Sequence, residues 1–87
     1  MRVTFLGTGT SYGVPMPGCD CATCRSSDPR DKRFRTAIRV EAGGVSLLID
    51  TPPDLRSQCL AHGITQIDAA LMTHAHADHA LGFDDLR

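Results

Sequence analysis

The chain has 87 residues, a formal charge of −1 and 41% hydrophobic residues. This length allows at most one small domain, and the near-neutral charge excludes a global basic field for nucleic acid. A core this small gives only marginal stability unless disulfide bonds, metal ions or a partner chain add to it. A homodimer is therefore compatible with the chain. The sequence contains no run of about 18 apolar residues, which argues against a membrane partner. Gly7 interrupts the apolar start too early for a signal peptide, so we expect a cytoplasmic protein.

Strand-forming residues alternate over positions 2–6, and a glycine-rich turn follows at 7–13. This turn differs from a dinucleotide-binding turn in two respects. Its third glycine comes one residue late, and Pro15 and Pro17 prevent the helix that such a turn must open. The segment is therefore either a bend that only glycine allows or a loop whose backbone N–H groups face a substrate.

Three cysteines follow, at positions 19, 21 and 24. An odd number of thiols cannot all pair, and cysteines separated by one residue form strained disulfides. Three thiolates that converge on one structural zinc ion are the more natural interpretation, with a fourth ligand from elsewhere. Cys59 and His62 are the candidates within the chain. The alternative is a set of free thiols.

Arginine and lysine side chains gather between positions 25 and 35, interrupted by Asp28 and Asp31. The usual interpretation is a solvated loop with weak local ion pairs. The functional alternative is guidance of an anionic phosphate ester. Nucleic acid is a less favoured partner, because Phe34 alone supplies an aromatic ring among these charges.

Residues 36–42 alternate apolar with polar side chains, and the more apolar residues 45–50 return after a Gly-Gly pair. This pattern predicts a β-hairpin with a two-residue turn of the mirror type. Asp50 ends the second strand. A carboxylate in that position is either a cap for the next helix or an orienting partner for other side chains.

A helix is predicted over residues 55–62, with Gly63 as its C-terminal stop. Asp54 is in position to cap its N-terminus. On this helix Cys59 would be a small core residue, and His62 would be a cation near the negative end of the helix dipole.

A short apolar strand is predicted over residues 67–72, and the sequence becomes helical near residues 80–86. Three histidines and an aspartate lie between them, within six residues. Imidazole and carboxylate are ligands that suit zinc, iron or manganese. The carboxyl end of a strand is also where open α/β sheets place their sites. A polar loop with scattered histidines is the alternative.

His74 and His76 can share one face of an extended segment, while Asp78 and His79 follow at the start of the next helix. We therefore predict that each pair holds one divalent ion. Two ions roughly 3.5–4 Å apart would share a hydroxide and form a hydrolytic centre.

This His-x-His-x-Asp-His pattern resembles the signature of the metallo-β-lactamase superfamily of metal-dependent hydrolases. The resemblance implies that His74 and His76 bind one zinc or manganese ion and that Asp78 and His79 bind the second. Asp78 would also orient the hydroxide and so act as the catalytic residue. For Asp50 the resemblance implies hydrogen bonds to the metal-binding histidines.

The same resemblance implies an α/β fold, the four-layer αβ/βα sandwich. The superfamily takes further metal ligands from later positions, so we expect residues 1–87 to be the N-terminal half of a single domain. Such a half would expose one face of its sheet, and on its own we expect it to be inactive.

Leu6–Gly9 resembles the start of superfamily members that process phosphodiesters. The cysteine segment, followed by Asp28–Thr36, resembles the phosphoribosyl cyclic phosphate phosphodiesterase subgroup. In that subgroup such cysteines hold a structural zinc whose fourth ligand is a later histidine. The resemblance implies a phosphodiesterase that acts on a cyclic or other small phosphate diester.

Two alternatives stay open. An RNA 3′-end processing nuclease of the same superfamily would share the Gly-Thr-Gly start and the metal signature, but it would not need the cysteines. A non-enzymatic zinc-binding module would saturate both clusters with four protein ligands each.

Overall fold

The computed structural model describes residues 1–86, which form a mixed sheet of four strands in sequence order. The strands are β1 (Arg2–Gly7), β2 (Ala37–Ala42), β3 (Val45–Ile49) and β4 (Ala69–Leu71). The first three pair antiparallel, and β4 runs parallel to β3. The helices are α1 (Ala22–Arg25), α2 (Leu55–His62) and α3 (Ala77–Ala80), with 3-10 turns at Pro29–Asp31 and Phe83–Leu86. None of the helices in residues 1–86 has the length and apolar composition that spanning a bilayer requires.

The predicted hairpin is confirmed. Ala42 pairs with Val45, so the loop contains only Gly43 and Gly44, whose φ angles are 56° and 80°. A mirror-type turn needs positive φ at both central positions, which glycine adopts without steric strain. The turn sets the register of β2 against β3, and through it the position of Asp50 at the strand end.

The predicted helix over residues 55–62 is also confirmed, and Gly63 follows it in the left-handed conformation. Leu55 from this helix joins the buried core formed with Leu6, Ala37 and Leu48. Cys59 packs against the edge of the core, as predicted. The helix therefore covers one face of the sheet.

The capping prediction for Asp54 is wrong in its chemistry. Asp54 occupies the N-cap position, but its side chain makes no capping hydrogen bond to α2. The carboxylate instead accepts from the backbone N–H and the guanidinium of Arg35, at 2.8 and 3.0 Å. Two charge-assisted bonds to arginine outcompete one bond to a helix N–H.

The other face of the sheet is apolar and open. Side chains alternate along a strand, so Val3 and Phe5 lie on the face opposite Leu6, and 67% of the Phe5 surface is exposed. Strand register extends this face across the sheet through Ile38, Val40, Leu47, Ile49 and Leu71. An open apolar face is what we expected of half of a sandwich.

The segment after β4 agrees with the prediction in one respect and differs in another. Asp78 and His79 lie in the first turn of α3, as predicted, but α3 ends at Ala80 and a 3-10 turn replaces the helix expected near residues 80–86. Helix α3 ends because the chain turns back toward the end of β3, where the Gly82 N–H donates to the Thr51 carbonyl at 2.8 Å. A Cβ atom at Gly82 would lie 1.8 Å from the Pro52 carbonyl oxygen. Only glycine fits this contact.

We therefore expect Gly82→Ala to destabilise the protein that carries this chain by about 1–3 kcal/mol, the usual range for overpacking. The added methyl group must push the end of α3 away from Pro52. Chemical denaturation of both proteins measures the difference. An unchanged midpoint would show that this contact does not hold α3 in place.

Candidate metal centre

The predicted site lies at the edge of the sheet where β3 and β4 end. These strands are parallel, so their carboxyl ends bring Asp50 and Thr73 to the same edge. The Asp50 N–H donates to the Leu71 carbonyl at 2.8 Å, which extends the pairing past β3. Asp50 then leaves the strand direction with φ of 69°. Aspartate is one of the few residues with a side chain that enter this left-handed region.

Asp50 is 3% exposed, and its carboxylate is surrounded by donors. It accepts from the Thr73 backbone N–H at 2.8 Å and from the Thr73 hydroxyl at 2.8 Å. His79 Nδ1 lies 2.7 Å from Oδ2 of the same carboxylate. Burial opposes ionisation, but the hydrogen bonds from Thr73 and His79 outweigh it, and the pKa of Asp50 lies below its usual value. Asp50 is therefore an acceptor that fixes both partners.

This acceptor determines which nitrogen atoms of two histidines stay available. An ionised Asp50 can only accept, so His79 Nδ1 donates to it and leaves a lone pair on Nε2. The Thr73 hydroxyl donates its one proton to Asp50. It must therefore accept from His74 Nδ1, which lies 2.8 Å away. Both imidazoles thus use Nδ1 in this network and leave Nε2 for another partner, which is how a neutral histidine binds a metal.

The three imidazoles form one cluster. The ring centroids of His74 and His76 are 4.6 Å apart, and those of His74 and His79 are 4.1 Å apart. Asp78 Oδ2 lies 3.1 Å from His79 Nε2. A lone pair and a carboxylate that face each other at this distance attract only when a proton or a cation lies between them.

The Asp78 carboxylate is held by more than its histidine neighbours. Burial opposes its ionisation, but a hydrogen bond from the Ser11 side chain and the nearby His79 and His76 lower the pKa of Asp78. Ser11 belongs to the glycine-rich turn after β1.

The donor set fits divalent metal ions, since three imidazoles and a carboxylate suit zinc or manganese. The structure brings all four side chains together as neighbours. It does not bring three of their ligand atoms within 4.8 Å of one another; among residues 1–86, only the three cysteines form such a group. The pairing of each ion with particular residues stays a prediction.

Cys19, Cys21 and Cys24 meet at α1, a short helix that the sequence analysis did not predict. Cys21 is its N-cap, and its Sγ accepts from the Cys24 N–H at 3.5 Å. That bond, aided by the Cys19 and Cys24 thiols, lowers the pKa of Cys21 to about 7. A thiol that ionises near neutral pH is prepared to bind zinc. All four cysteines of the chain are free.

The candidates for a fourth cysteine-site ligand within the chain are not supported. Neither Cys59 nor His62 belongs to the group formed by the three thiols. Cys59 lies against the core, where burial raises the pKa of its thiol. His62 is the last residue of α2 and is exposed.

The sequence did not predict the roles of Thr73 and Arg35. Thr73 directly precedes His74, so its hydroxyl lies beside the first predicted ligand. Arg35 was predicted only as a member of the basic segment, and its bonds to Asp54 and Ser11 are to residues distant in the sequence.

A family model described as a beta-lactamase superfamily domain matches residues 46–87. The chain is 52% identical to an octanoyltransferase of Porphyromonas gingivalis, over 100% of this chain and 18% of that protein. It is 35% identical to ribonuclease Z of Bradyrhizobium diazoefficiens, over 97% of this chain and 23% of that protein. The chain thus spans about a fifth of the length of these relatives.

Two crystal structures are similar throughout the chain. A new diphosphatase from the PhnP family is 58% identical with a TM-score of 0.95, over 98% of this chain and 34% of that one. Zn²⁺-bound PqqB from Methylobacterium extorquens is 32% identical with a TM-score of 0.85, over 100% of this chain and 36% of that one.

The fold and the histidine loop define a domain of the metallo-β-lactamase class, as the sequence pattern predicted. The chain belongs to the metallo-β-lactamase superfamily. Within that superfamily it is similar to the PhnP family.

Asp50 gives the site a predictable response to pH. Its pKa is lower in the folded protein, so its ionised form stabilises the fold above the unfolded value of about 3.9. This contribution is lost as pH falls through the folded value. We expect Asp50→Asn to reduce stability at pH 7 by about 1–3 kcal/mol, the penalty for disrupted buried hydrogen bonds.

Urea denaturation at pH 7 and pH 3.5, in the presence of a chelator, tests this expectation. The difference between the parent protein and Asp50→Asn should shrink at the lower pH. Asp20→Asn is the control, because Asp20 is an exposed carboxylate whose replacement should leave both midpoints nearly unchanged. An equal loss for Asp50→Asn at both pH values would contradict the prediction.

Proposed function

We propose that the protein carrying this chain is a metal-dependent phosphodiesterase that acts on a cyclic or other small phosphate diester. The observation that carries this proposal is the polar network in which Asp50 and Thr73 hold His74 and His79 through Nδ1, so that Nε2 of each ring is left for a further partner, which for His79 lies beside the Asp78 carboxylate. A carboxylate beside that second nitrogen is an arrangement that a divalent ion would bridge. The similarity to a PhnP-family diphosphatase supports the choice of a phosphate ester.

In the proposed centre, His74 and His76 would hold one zinc or manganese ion, and Asp78 and His79 would hold a second. When bound, the two ions would supply Lewis acidity to a water molecule and to the phosphoryl oxygens. Asp50 keeps the His79 ring oriented, and it acts on His74 through the Thr73 hydroxyl. Asp78, held ionised, would accept a hydrogen bond from the attacking water and so orient it.

The basic segment gives limited support for guidance of the substrate. Arg30 pairs with Asp28 at 2.9 Å, and Arg35 pairs with Asp54 at 3.0 Å. The first pair is local and exposed, as in a solvated loop, whereas the second joins Arg35 to a residue 19 positions away. In both pairs the guanidinium is already occupied by a carboxylate. Arg33 differs, because its Nη1 donates to the Thr8 hydroxyl on the glycine-rich turn. A phosphate that approached this turn would meet that guanidinium.

An RNA 3′-end processing nuclease is the second candidate, and the identity with ribonuclease Z supports it. The convergent thiols argue for the small-diester function, because the nuclease would not need them. The octanoyltransferase name describes a protein of which this chain matches 18%. That share supports no assignment of acyl transfer to these residues.

We further propose that the three cysteines hold one structural zinc ion. Their sulfur atoms all lie within 4.8 Å of one another, and the pKa of Cys21 near 7 favours the thiolate ligand. Free thiols also favour a reducing compartment such as the cytoplasm. That the chain forms a homodimer remains a prediction from the small size of its core.

Hydrolysis of bis(p-nitrophenyl) phosphate tests the catalytic proposal in the protein that carries this chain. With zinc or manganese added, we expect turnover by the parent protein. His76→Ala should lower kcat/KM by at least about 100-fold, since even loss of a residue that only supports a ligand costs 10–100-fold. His62→Ala is the matched control and should retain full activity, because His62 is an exposed histidine at the end of α2.

Two results would refute the catalytic proposal. One is a metal-replete protein that is inert toward small diesters. The other is a His76→Ala variant that loses only stability. Cleavage of a precursor tRNA 3′ trailer, with no turnover of small diesters, would favour the nuclease.

Elemental analysis tests the structural zinc. Cys24→Ser should lose one tightly bound zinc ion per chain and unfold at a lower temperature, because a serine oxygen replaces a zinc-binding thiolate. Cys59→Ser should keep that zinc, since Cys59 lies outside the group of thiols. Equal zinc content in both variants and the parent protein would refute the site.

A further inference from the structure

Arg33 differs from the other cations of the basic segment in having no carboxylate partner among residues 1–86. The ion pairs of this part of the chain take up the other guanidinium groups between positions 25 and 35, those of Arg25, Arg30 and Arg35. Lys32 Nζ donates to the Ser26 carbonyl at 2.6 Å. Arg33 is exposed, and its Nη1 donates to the uncharged Thr8 hydroxyl at 2.8 Å. Its positive charge is therefore available to a ligand.

The backbone on both sides of this contact is fixed. Val14 and Arg33 exchange two backbone hydrogen bonds of 2.8 Å. The Gly9 N–H, next to Thr8, donates to the Phe34 carbonyl at 2.8 Å. The base of the Arg33 side chain is thus held against the glycine-rich turn before any ligand arrives. Binding to a group that is already ordered costs less conformational entropy.

Strand directions place this contact at the same edge of the sheet as the histidine loop. Strands β1 and β3 both run antiparallel to β2, so their carboxyl ends, which lead to Thr8 and Asp50, lie at one edge. Only β2 separates them, which puts the two strand ends roughly 10 Å apart. The basic segment also contacts the loop after β3, because the Arg35 N–H donates to the Asp54 carboxylate at 2.8 Å.

The hydrogen bond between Arg33 and Thr8 leaves only donors for a ligand. The Thr8 hydroxyl accepts from Arg33, so its own proton is available to a further acceptor. The guanidinium keeps its remaining N–H groups, which lie in one plane. A positive charge with several donors and no acceptor suits the oxygen atoms of a phosphate group, which a guanidinium can bind at two points.

We propose that Arg33 and Thr8 bind a second phosphate group of the substrate, beside the diester that is hydrolysed at the histidine loop. The inference rests on the proposed function, because it takes the histidine loop as the place of hydrolysis. The separation of the two strand ends exceeds the width of one phosphate group, so the two sites bind different groups. The preferred substrate is therefore a small diester that also carries a phosphate monoester.

Two matched substrates test this inference in the metal-loaded protein that carries this chain. They are adenosine 2′,3′-cyclic phosphate and the same compound with a 5′-phosphate. We expect the parent protein to prefer the 5′-phosphorylated compound by about 10–100-fold in kcat/KM, the value of charge-assisted hydrogen bonds to one phosphate group. Arg33→Gln should remove most of this preference through a higher KM, because the second phosphate lies away from the reacting atoms.

Three further variants sharpen this result. Thr8→Val should lower the preference by about 3–10-fold, the effect of one lost hydrogen bond, and Thr8→Ser should restore it because it keeps the hydroxyl group. Arg30→Gln is the matched control, since Arg30 is an exposed arginine whose guanidinium binds Asp28. Its preference should equal that of the parent protein.

A binding measurement tests the pair without any turnover. Metal-free protein, prepared with a chelator, is titrated with inorganic phosphate and followed by phosphorus NMR. We expect the parent protein and Arg30→Gln to bind phosphate with equal affinity, and Arg33→Gln to bind it about 10-fold more weakly or worse. Equal affinity in all three proteins would contradict the inference.

The outcomes separate this inference from the proposed function. If the parent protein hydrolyses both compounds without preference, or Arg33→Gln keeps the preference of the parent, the role of Arg33 is refuted and the function stands. If the parent protein hydrolyses neither compound, the proposed function fails, and the proposed second substrate phosphate fails with it. If Arg33→Gln does not fold, the comparison of Thr8→Val with Thr8→Ser decides.

Discussion

The buried carboxylate of Asp50 is the interaction on which the rest of the site depends. It sits where two parallel strands end, and it binds the backbone of one loop and the side chain of a helix together. A buried charge is tolerated only when donors satisfy it, and here Thr73 and His79 do so. The same bonds that stabilise the charge also fix the imidazole tautomers. The stability of the fold and the orientation of the candidate metal ligands therefore depend on the same carboxylate, so a substitution at Asp50 changes both.

The sequence predicted the elements whose causes are local. Two adjacent glycines specify the mirror-type turn, and Gly63 stops α2 wherever the helix packs, so both were placed correctly. The histidine loop at residues 73–79 could be proposed as a metal site because its candidate ligands are close together in the chain. The family was predicted from the same short pattern, and residues 46–87 match the family model.

The features that were missed depend on partners far away in the chain. Asp54 has a side chain suited to an N-cap, but its carboxylate binds Arg35, which lies 19 residues earlier in the chain, and not the helix N–H groups. Helix α3 ends early for a similar reason, because Gly82 must fit against Pro52, a residue that follows β3. Neither contact leaves a periodic pattern, and a single sequence does not show which distant residues will meet.

The two candidate metal sites differ in how much of the fold they need. The three cysteines lie within six residues, and one turn of helix brings their sulfur atoms together. The histidine site draws on the end of β3, the loop after β4 and the start of α3. Its geometry therefore follows the register of the whole sheet, since a slip of β3 by one residue would turn Asp50 away from Thr73. A site built in this way couples metal affinity to folding, whereas the cysteine site can form from a short segment.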